Sequence, residues 1–236
     1  MTAVPVHLEQ VTKRYGALAA LSNVDLEIEA GARLLLAGAN GAGKSTVMKA
    51  LSGMLSLREG KVTLADTDIG ALAPQDRVKK GMAFVPQINN VFAGLTVEEN
   101  LEMGAYLRFA GIEESKDRVF ELFPALKDKR RQLTAELSGG QRQQVAIGRA
   151  LMTDPTVLML DEPTAGVSPI VMDELFERIL EIRDTGMAVL IVEQNARQAL
   201  AIADKGFVMV NGENRFVDTG PALLENPEVR RSFLGG

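Results

Sequence analysis

Leu34-Leu35-Leu36-Ala37-Gly38-Ala39-Asn40-Gly41-Ala42-Gly43-Lys44-Ser45-Thr46-Val47-Met48-Lys49-Ala50-Leu51 changes character twice. A short apolar run gives way to a glycine-rich loop, and the loop to a run whose composition suits a helix. Within it, Gly38-Ala39-Asn40-Gly41-Ala42-Gly43-Lys44-Ser45 matches the P-loop pattern, in the strand–loop–helix setting that the pattern needs. The chemistry explains the layout. The phosphates of a nucleotide are crowded with negative charge, and glycines let successive backbone N–H groups point inward without side-chain clashes. The helix that follows, read over Thr46–Leu51, turns its positive N-terminal end to the same anion. Lys44 adds a full charge on the β- and γ-oxygens, and the Ser45 hydroxyl can ligate Mg²⁺. A chance match is roughly a one-in-a-hundred event for a chain of this length. Nucleotide binding is the expectation.

Outward from this loop, short apolar runs closed by Gly, Asp or Glu recur at Ala83–Pro86, Val157–Leu160 and Ala188–Val192. Such runs are strands of a buried parallel sheet, and the helical stretches between them give a βα alternation. Two segments depart from it. Val6–Val11 and Val24–Ile28 alternate apolar with polar residues, as half-exposed antiparallel strands do, and Asn211-Gly212 between Phe207–Val210 and Arg215–Val217 signals a tight hairpin. Val97–Ala110, Glu114–Phe123 and Gln141–Met152 space their apolar residues at helical intervals. The expected architecture is α/β: a P-loop NTPase (RecA-like) parallel-sheet core, an N-terminal antiparallel β region and an inserted helical subdomain. The division places the ATP-binding core at residues 1–94 and 154–236 and the helical insert at 95–153.

Apolar residues make up 46% of the 236-residue chain and charged residues 24%, which suits a chain with a sizeable core. The formal charge of −5 weighs against a broad nucleic-acid surface, and the absence of cysteine excludes disulfides and thiolate metal sites. Met1–His7 carries neither a basic nor an apolar targeting region, and no apolar run approaches the roughly 18–20 residues that span a bilayer. Any membrane function therefore needs a partner that does the spanning.

Val157-Leu158-Met159-Leu160-Asp161-Glu162 is an apolar run ending in two acids. A buried parallel strand delivers its C-terminal residue to the crevice where α/β proteins bind ligands. Asp161 is then placed to hold Mg²⁺, directly or through water, and Glu162 to orient or deprotonate the water that attacks the γ-phosphate.

Leu137-Ser138-Gly139-Gly140-Gln141, followed by helix-forming Arg142–Met152, is a second anion site in outline: a Ser cap and two glycines at a helix N-terminus. Placed ahead of Val157–Glu162, it resembles the signature of ABC (ATP-binding cassette) ATPases, and the resemblance covers essentially the whole chain. By that resemblance Tyr15 stacks on adenine. Gln87, in Phe84-Val85-Pro86-Gln87, becomes the junction of core and helical lobe, contacting Mg²⁺ and the nucleotide. Two cassettes of this family pair head to tail, so the Ser138-Gly139-Gly140-Gln141 turn of one seals the nucleotide on the P-loop of the other. The resemblance also implies that Gln87 and Ile88–Leu101 sense the γ-phosphate and press on a cytoplasmic helix of a transmembrane permease subunit.

Where many members have a histidine after the fourth strand run, this chain reads Val192-Glu193-Gln194-Asn195, and it has Ser168 where many place Asp. Its one histidine, His7, lies near the N-terminus. Gln194 can hydrogen-bond a phosphate oxygen but cannot shuttle a proton. Both departures, with Leu95–Leu101 and the closing Phe233-Leu234-Gly235-Gly236, resemble the cassettes of branched-chain amino acid uptake systems. The resemblance then implies an importer subunit on the cytoplasmic face of the inner membrane. It has ATP and Mg²⁺ as cofactors, an identical or different second cassette, permease subunits and, indirectly, a solute-binding protein, with no nucleic acid partner. Urea-type uptake cassettes are similar. A soluble ABC ATPase acting on nucleic acid or ribosomes is the alternative of another class, disfavoured by the acidic balance and the single cassette. A P-loop kinase or GTPase would leave Ser138-Gly139-Gly140 without a role.

Overall fold

The computed structural model describes residues 6–108, 110–183, 186–194 and 196–233. Met1–Pro5, Phe109, Asn195 and the closing Leu234–Gly236 of the segments quoted above lie outside the described residues. In chain order the elements are β1 (Val6–Tyr15), β2 (Leu18–Ile28), β3 (Arg33–Gly38), α1 (Lys44–Ser52), β4 (Glu59–Leu64), β5 (Thr67–Asp68), α2 (Pro74–Lys79) and β6 (Met82–Val85). Then follow α3 (Val97–Gly104), α4 (Ile112–Leu122), α5 (Pro124–Lys127), a single 3₁₀ turn (Thr134–Glu136) and α6 (Gly139–Leu151). The chain closes with β7 (Val157–Asp161), α7 (Pro169–Arg183), β8 (Ala188–Glu193), α8 (Ala196–Ile202), β9 (Lys205–Val210), β10 (Glu213–Asp218), α9 (Gly220–Glu225) and α10 (Pro227–Phe233).

Two sheets result. The antiparallel one runs β2-β1-β4-β5, and the larger runs β10-β9-β3-β8-β7-β6, parallel throughout except for the antiparallel hairpin strand β10. Side chains alternate faces along each strand, so the larger sheet feeds two cores. Leu34, Leu36, Met159, Leu190 and Val192 pack toward the antiparallel sheet and α1. Leu35, Leu158, Leu160, Val189 and Ile191 pack toward α3, α4, α6, α7 and α8. Burial on both faces is why these strands read as unbroken apolar runs, each such side chain contributing about 1.5–3 kcal/mol.

Local differences from the sequence expectation have physical causes. The helical pattern of Val97–Ala110 stops as helix at Gly104, where α3 crosses α6 so closely that a Cβ would collide with the Arg149 carbonyl. The carbonyls beyond are tied up in tight turns, with Arg108 N–H donating to Ala105 O at 2.8 Å. Strand β4 escaped a period-2 reading because its first half, Glu59-Gly60-Lys61, is exposed and only Val62 and Leu64 are buried. At the other end of the sheet Asn211 (φ 50°) and Gly212 (φ 82°) form the expected hairpin turn.

Candidate nucleotide site

Parallel neighbours bring their C-terminal ends to one edge. In register, Ala37 of β3 faces Glu193 of β8, Val192 faces Asp161 of β7, and Leu160 faces Val85 of β6. The P-loop, the two acids, the Glu193-Gln194 exit and the Gln87 exit are thereby adjacent, though far apart in sequence. The loop's shape depends on glycine. Gly43 has φ 107°, and a Cβ there would lie 2.8 Å from the Ala20 carbonyl. Gly41, with φ 81°, faces open space where a ligand can approach the backbone. The β9–β10 turn braces the loop from behind: Gly212 N–H donates to Ala42 O at 3.0 Å, and Ser22 N–H donates to Gly212 O at 2.8 Å.

A cleft of about 530 Å³ opens over this loop. Of the residues singled out in the sequence, Tyr15, Asn40, Gly41, Ala42, Gly43, Lys44, Ser45, Thr46 and Glu162 line it. Tyr15 is half exposed at the rim beside Leu18, offering a ring face, with Lys13 Nζ 5.5 Å from its centroid. Lys44 begins α1 and is 5% exposed. Its ammonium donates to Gly38 O at 2.6 Å and Ala39 O at 3.2 Å, so these two residues shape the loop through their carbonyls. Burial lowers the Lys44 pKa, and the charges of Glu162, Asp161 and Glu193 oppose that shift. Asp161 moves the other way: burial, then Glu162, raise its pKa, with Lys44 and Lys49 pulling it back. The site is therefore an uneven balance of three acids against one buried cation, electrostatically suited to a ligand that brings a metal cation with its phosphates.

Glu162 adopts φ 46°, a conformation costly for a residue with a Cβ, and its amide is anchored by donating to Val192 O at 2.8 Å. Gln87 is exposed and lies outside the cleft lining. Its Nε2 donates to Glu162 Oε2 at 2.7 Å, so the expected metal contact of Gln87 is here directed onto the expected base. Gln194 is exposed just beyond β8. No group of three or more His, Cys, Asp or Glu residues that could cage a metal occurs among the described residues. That fits Mg²⁺, which takes one or two side chains and completes its shell with water and phosphate; Ser45 and Asp161 suit it, and the open backbone at Gly41 suits the phosphates.

Ser138, Gly139, Gly140 and Gln141 are not brought to the cleft. They form the start of α6, closed by a capping box in which Gln141 N–H donates to Ser138 Oγ and Ser138 N–H to Gln141 Oε1, both at 3.2 Å. Ser138 and Gly139 are exposed, while Gly140 is buried against Val171. Sequence reasoning named Glu193 only as the neighbour of Gln194. The structure buries it to 3% exposure, where its Oε1 accepts from Thr164 Oγ1 at 2.7 Å and Thr164 N–H at 3.1 Å. Burial raises its pKa, and the Thr164 bonds restrain the rise. An acid closing an otherwise apolar strand, next to a Thr-containing loop, was the available signal.

The sequence profile described as "ABC transporter" matches residues 21–165. The high-affinity branched-chain amino acid transport ATP-binding protein BraG of Pseudomonas aeruginosa is 43% identical over 229 residues, covering 97% of this chain and 98% of that protein. The probable branched-chain amino acid transport ATP-binding protein LivF of Archaeoglobus fulgidus is 40% identical over 225 residues, covering 94% of each. Among solved structures, the ADP conformation of MJ1267, an ATP-binding cassette of an ABC transporter, superposes with a TM-score of 0.89 at 29% identity, covering 100% of both chains.

Proposed function

This chain belongs to the ABC transporter family as an ATP-hydrolysing cassette, and on that premise we propose that it powers import of branched-chain amino acids by ATP-dependent closure of a cassette dimer. The observation that carries the reading is the single edge where the P-loop, Asp161, Glu162 and Gln87 converge. In it the amides of residues 38–45 and the Lys44 ammonium bind the triphosphate, and the Tyr15 ring supports the base. Ser45 and Asp161, with Gln87, hold Mg²⁺, which supplies charge neutralisation on the phosphate oxygens. Glu162, freed from Gln87, orients the attacking water and takes its proton. Gln194 donates a hydrogen bond to the γ-phosphate in place of a protonatable group.

The exposed Ser138–Gly139 turn, capped and outside the lining of its own cleft, supports a site completed by a second cassette, identical or different. We place the moving lobe at residues 95–153, within the core of 1–94 and 154–236. A groove of about 500 Å³ beside the Gln87 exit, lined by Phe84, Pro86, Phe92, Met103, Tyr106 and Arg149, supports docking of a permease helix. Phe92, Met103 and Tyr106 are exposed there, with the Arg149 guanidinium 4.8 Å from the Phe92 ring centroid. None of the described helices is long and apolar enough to cross a membrane. Likeness to transport ATP-binding proteins supports a peripheral place on the cytoplasmic face, with a solute-binding protein delivering cargo from the other side.

Reconstitution with permeases and binding protein tests the scheme. Lys44→Ala should lose Mg-ATP affinity by tenfold or more, about 1.4 kcal/mol. Glu162→Gln should retain binding and lose turnover by about 10²- to 10⁴-fold, accumulating in the closed dimer. Turnover at the parent rate in Glu162→Gln would remove the residue from the base role.

A further inference from the structure

We propose that Asn90 and Gln143 form a positioning pair that transmits the movement of the Gln87 loop to the Ser138 end of α6. After β6 the chain runs outward through Gln87, Ile88 and Asn89, all exposed, and then turns back so that Asn90 is only 9% exposed. The Asn90 Nδ2 amide has two hydrogens, and it makes two bonds of different kinds. One goes to Pro86 O at 3.2 Å, within its own loop; the other goes to Gln143 Oε1 at 2.8 Å, on α6. Gln143 is 8% exposed and sits in the second turn after the Ser138 cap. A single buried nitrogen thus ties the segment next to Gln87 to the helix that presents Ser138 and Gly139.

The junction is polar beyond what packing requires, and it is incompletely satisfied. Gln143 Nε2 and the neighbouring Gln144 Oε1 are buried without a hydrogen-bond partner among the described residues. Buried amide groups are ordinarily paired, because an unmet donor or acceptor forfeits the hydration it had in water. A network with spare donors and acceptors has a second arrangement close at hand, in which those atoms are used. The other end of the linkage is equally poised. Gln87 Nε2 is held by Glu162 Oε2 at 2.7 Å, an exposed contact that Mg-ATP in the cleft would compete for. Movement of Gln87 displaces the loop that ends at Asn90, Asn90 carries Gln143, and the capping box makes Ser138–Gln141 follow the helix as one piece. The inference rests on the nucleotide reading of the cleft given above.

Hydrogen–deuterium exchange on the full chain, with and without a non-hydrolysable Mg-ATP analogue, tests it, with analogue affinity and circular dichroism measured alongside. Expected for the parent chain is a nucleotide-dependent change in exchange at residues 139–145. Asn90→Leu and Gln143→Leu should lose that change while affinity stays within about twofold, roughly 0.4 kcal/mol. Gln143→Glu keeps an accepting oxygen and should retain the change. Should Asn90→Leu unfold, the smaller Asn90→Ala removes the donor without offering Gln143 Nε2 an acceptor and should lose the response in folded protein. Retention of the full response in Asn90→Leu or Asn90→Ala, or its absence from the parent chain despite binding, overturns the proposal. Failure of the parent chain to bind the analogue at all would instead overturn the nucleotide reading, and the link with it.

Discussion

Glu193 is the residue whose surroundings say most about how the site is kept in shape. Its carboxylate holds Thr164, two residues past Glu162, through both the hydroxyl and the amide. Both donors meet the same oxygen, so Glu193→Gln can keep them. What the substitution removes is a titration. Burial raises the carboxyl pKa in the folded chain, so between the ordinary glutamate value, about 4.3, and that higher value the native state holds a proton that the unfolded chain has released. Stability from this group is therefore present at low pH and lost as pH rises through that window. Asp161, also raised chiefly by burial, acts with the same sign. Urea unfolding of the nucleotide-free protein across this range should show a shallower decline for Glu193→Gln than for the parent, Asp161 supplying what remains. Identical slopes would mean that Glu193 is not held above its usual range.

Among the elements, α1 has the most exacting role in the proposed site, because it carries both Lys44 and the positive helix end that would face the phosphates. Its C-terminal carbonyls are met by a side chain from α2. Arg77, 1% exposed, donates to Ala50 O at 2.6 Å and Leu51 O at 2.7 Å, and also to Gly70 O at 3.1 Å and Leu72 O at 3.2 Å. A cation at a helix C-terminus also matches the sign of the dipole there. Arg77→Met fills similar space but strands several buried carbonyls, so the expected loss is about 2–4 kcal/mol. For a chain of this size that corresponds to a fall in Tm of about 4–16 °C, measurable by thermal unfolding. A change below 1 °C would show those carbonyls to be satisfied otherwise. In the sequence Arg77 is one charge among many in a helix with no apolar stripe, and nothing local marks it.

At the scale of the whole molecule, the proposed pairing of two cassettes is tested at Ser138. Within one chain Ser138 and Gly139 lie outside the cleft over the P-loop, and the turn is capped and exposed. Ser138→Arg should leave Mg-ATP binding by the isolated chain unchanged. In a Glu162→Gln background it should abolish nucleotide-locked pairing, with itself or with a second cassette, as read by size-exclusion chromatography. Persistence of the paired species would separate Ser138 from the interface. The placement of α6 that matters here depends on glycines: Gly140 against Val171 and Gly148 against Val119 and Leu101 leave no room for a Cβ.

From the chain of residues alone came the phosphate loop, the strand ending in Asp161-Glu162, the capped Ser138 turn and the class of fold. Each is a local statement: hydrogen-bond donors, charge and hydrophobic period all reside within a few consecutive residues, so a short window carries them. Tertiary structure alone decided the order β3-β8-β7-β6, which sets Gly38, Glu193, Asp161 and Gln87 side by side. It also decided that Gln87 rests on Glu162, that Gly212 braces Ala42, that Arg77 closes α1, and that Asn90 grips Gln143. These pairings join residues 26 to 170 positions apart, and, apart from the exposed Gln87–Glu162 contact, their worth comes from exclusion of water at the contact, a property that exists only once both cores have closed around the sheet.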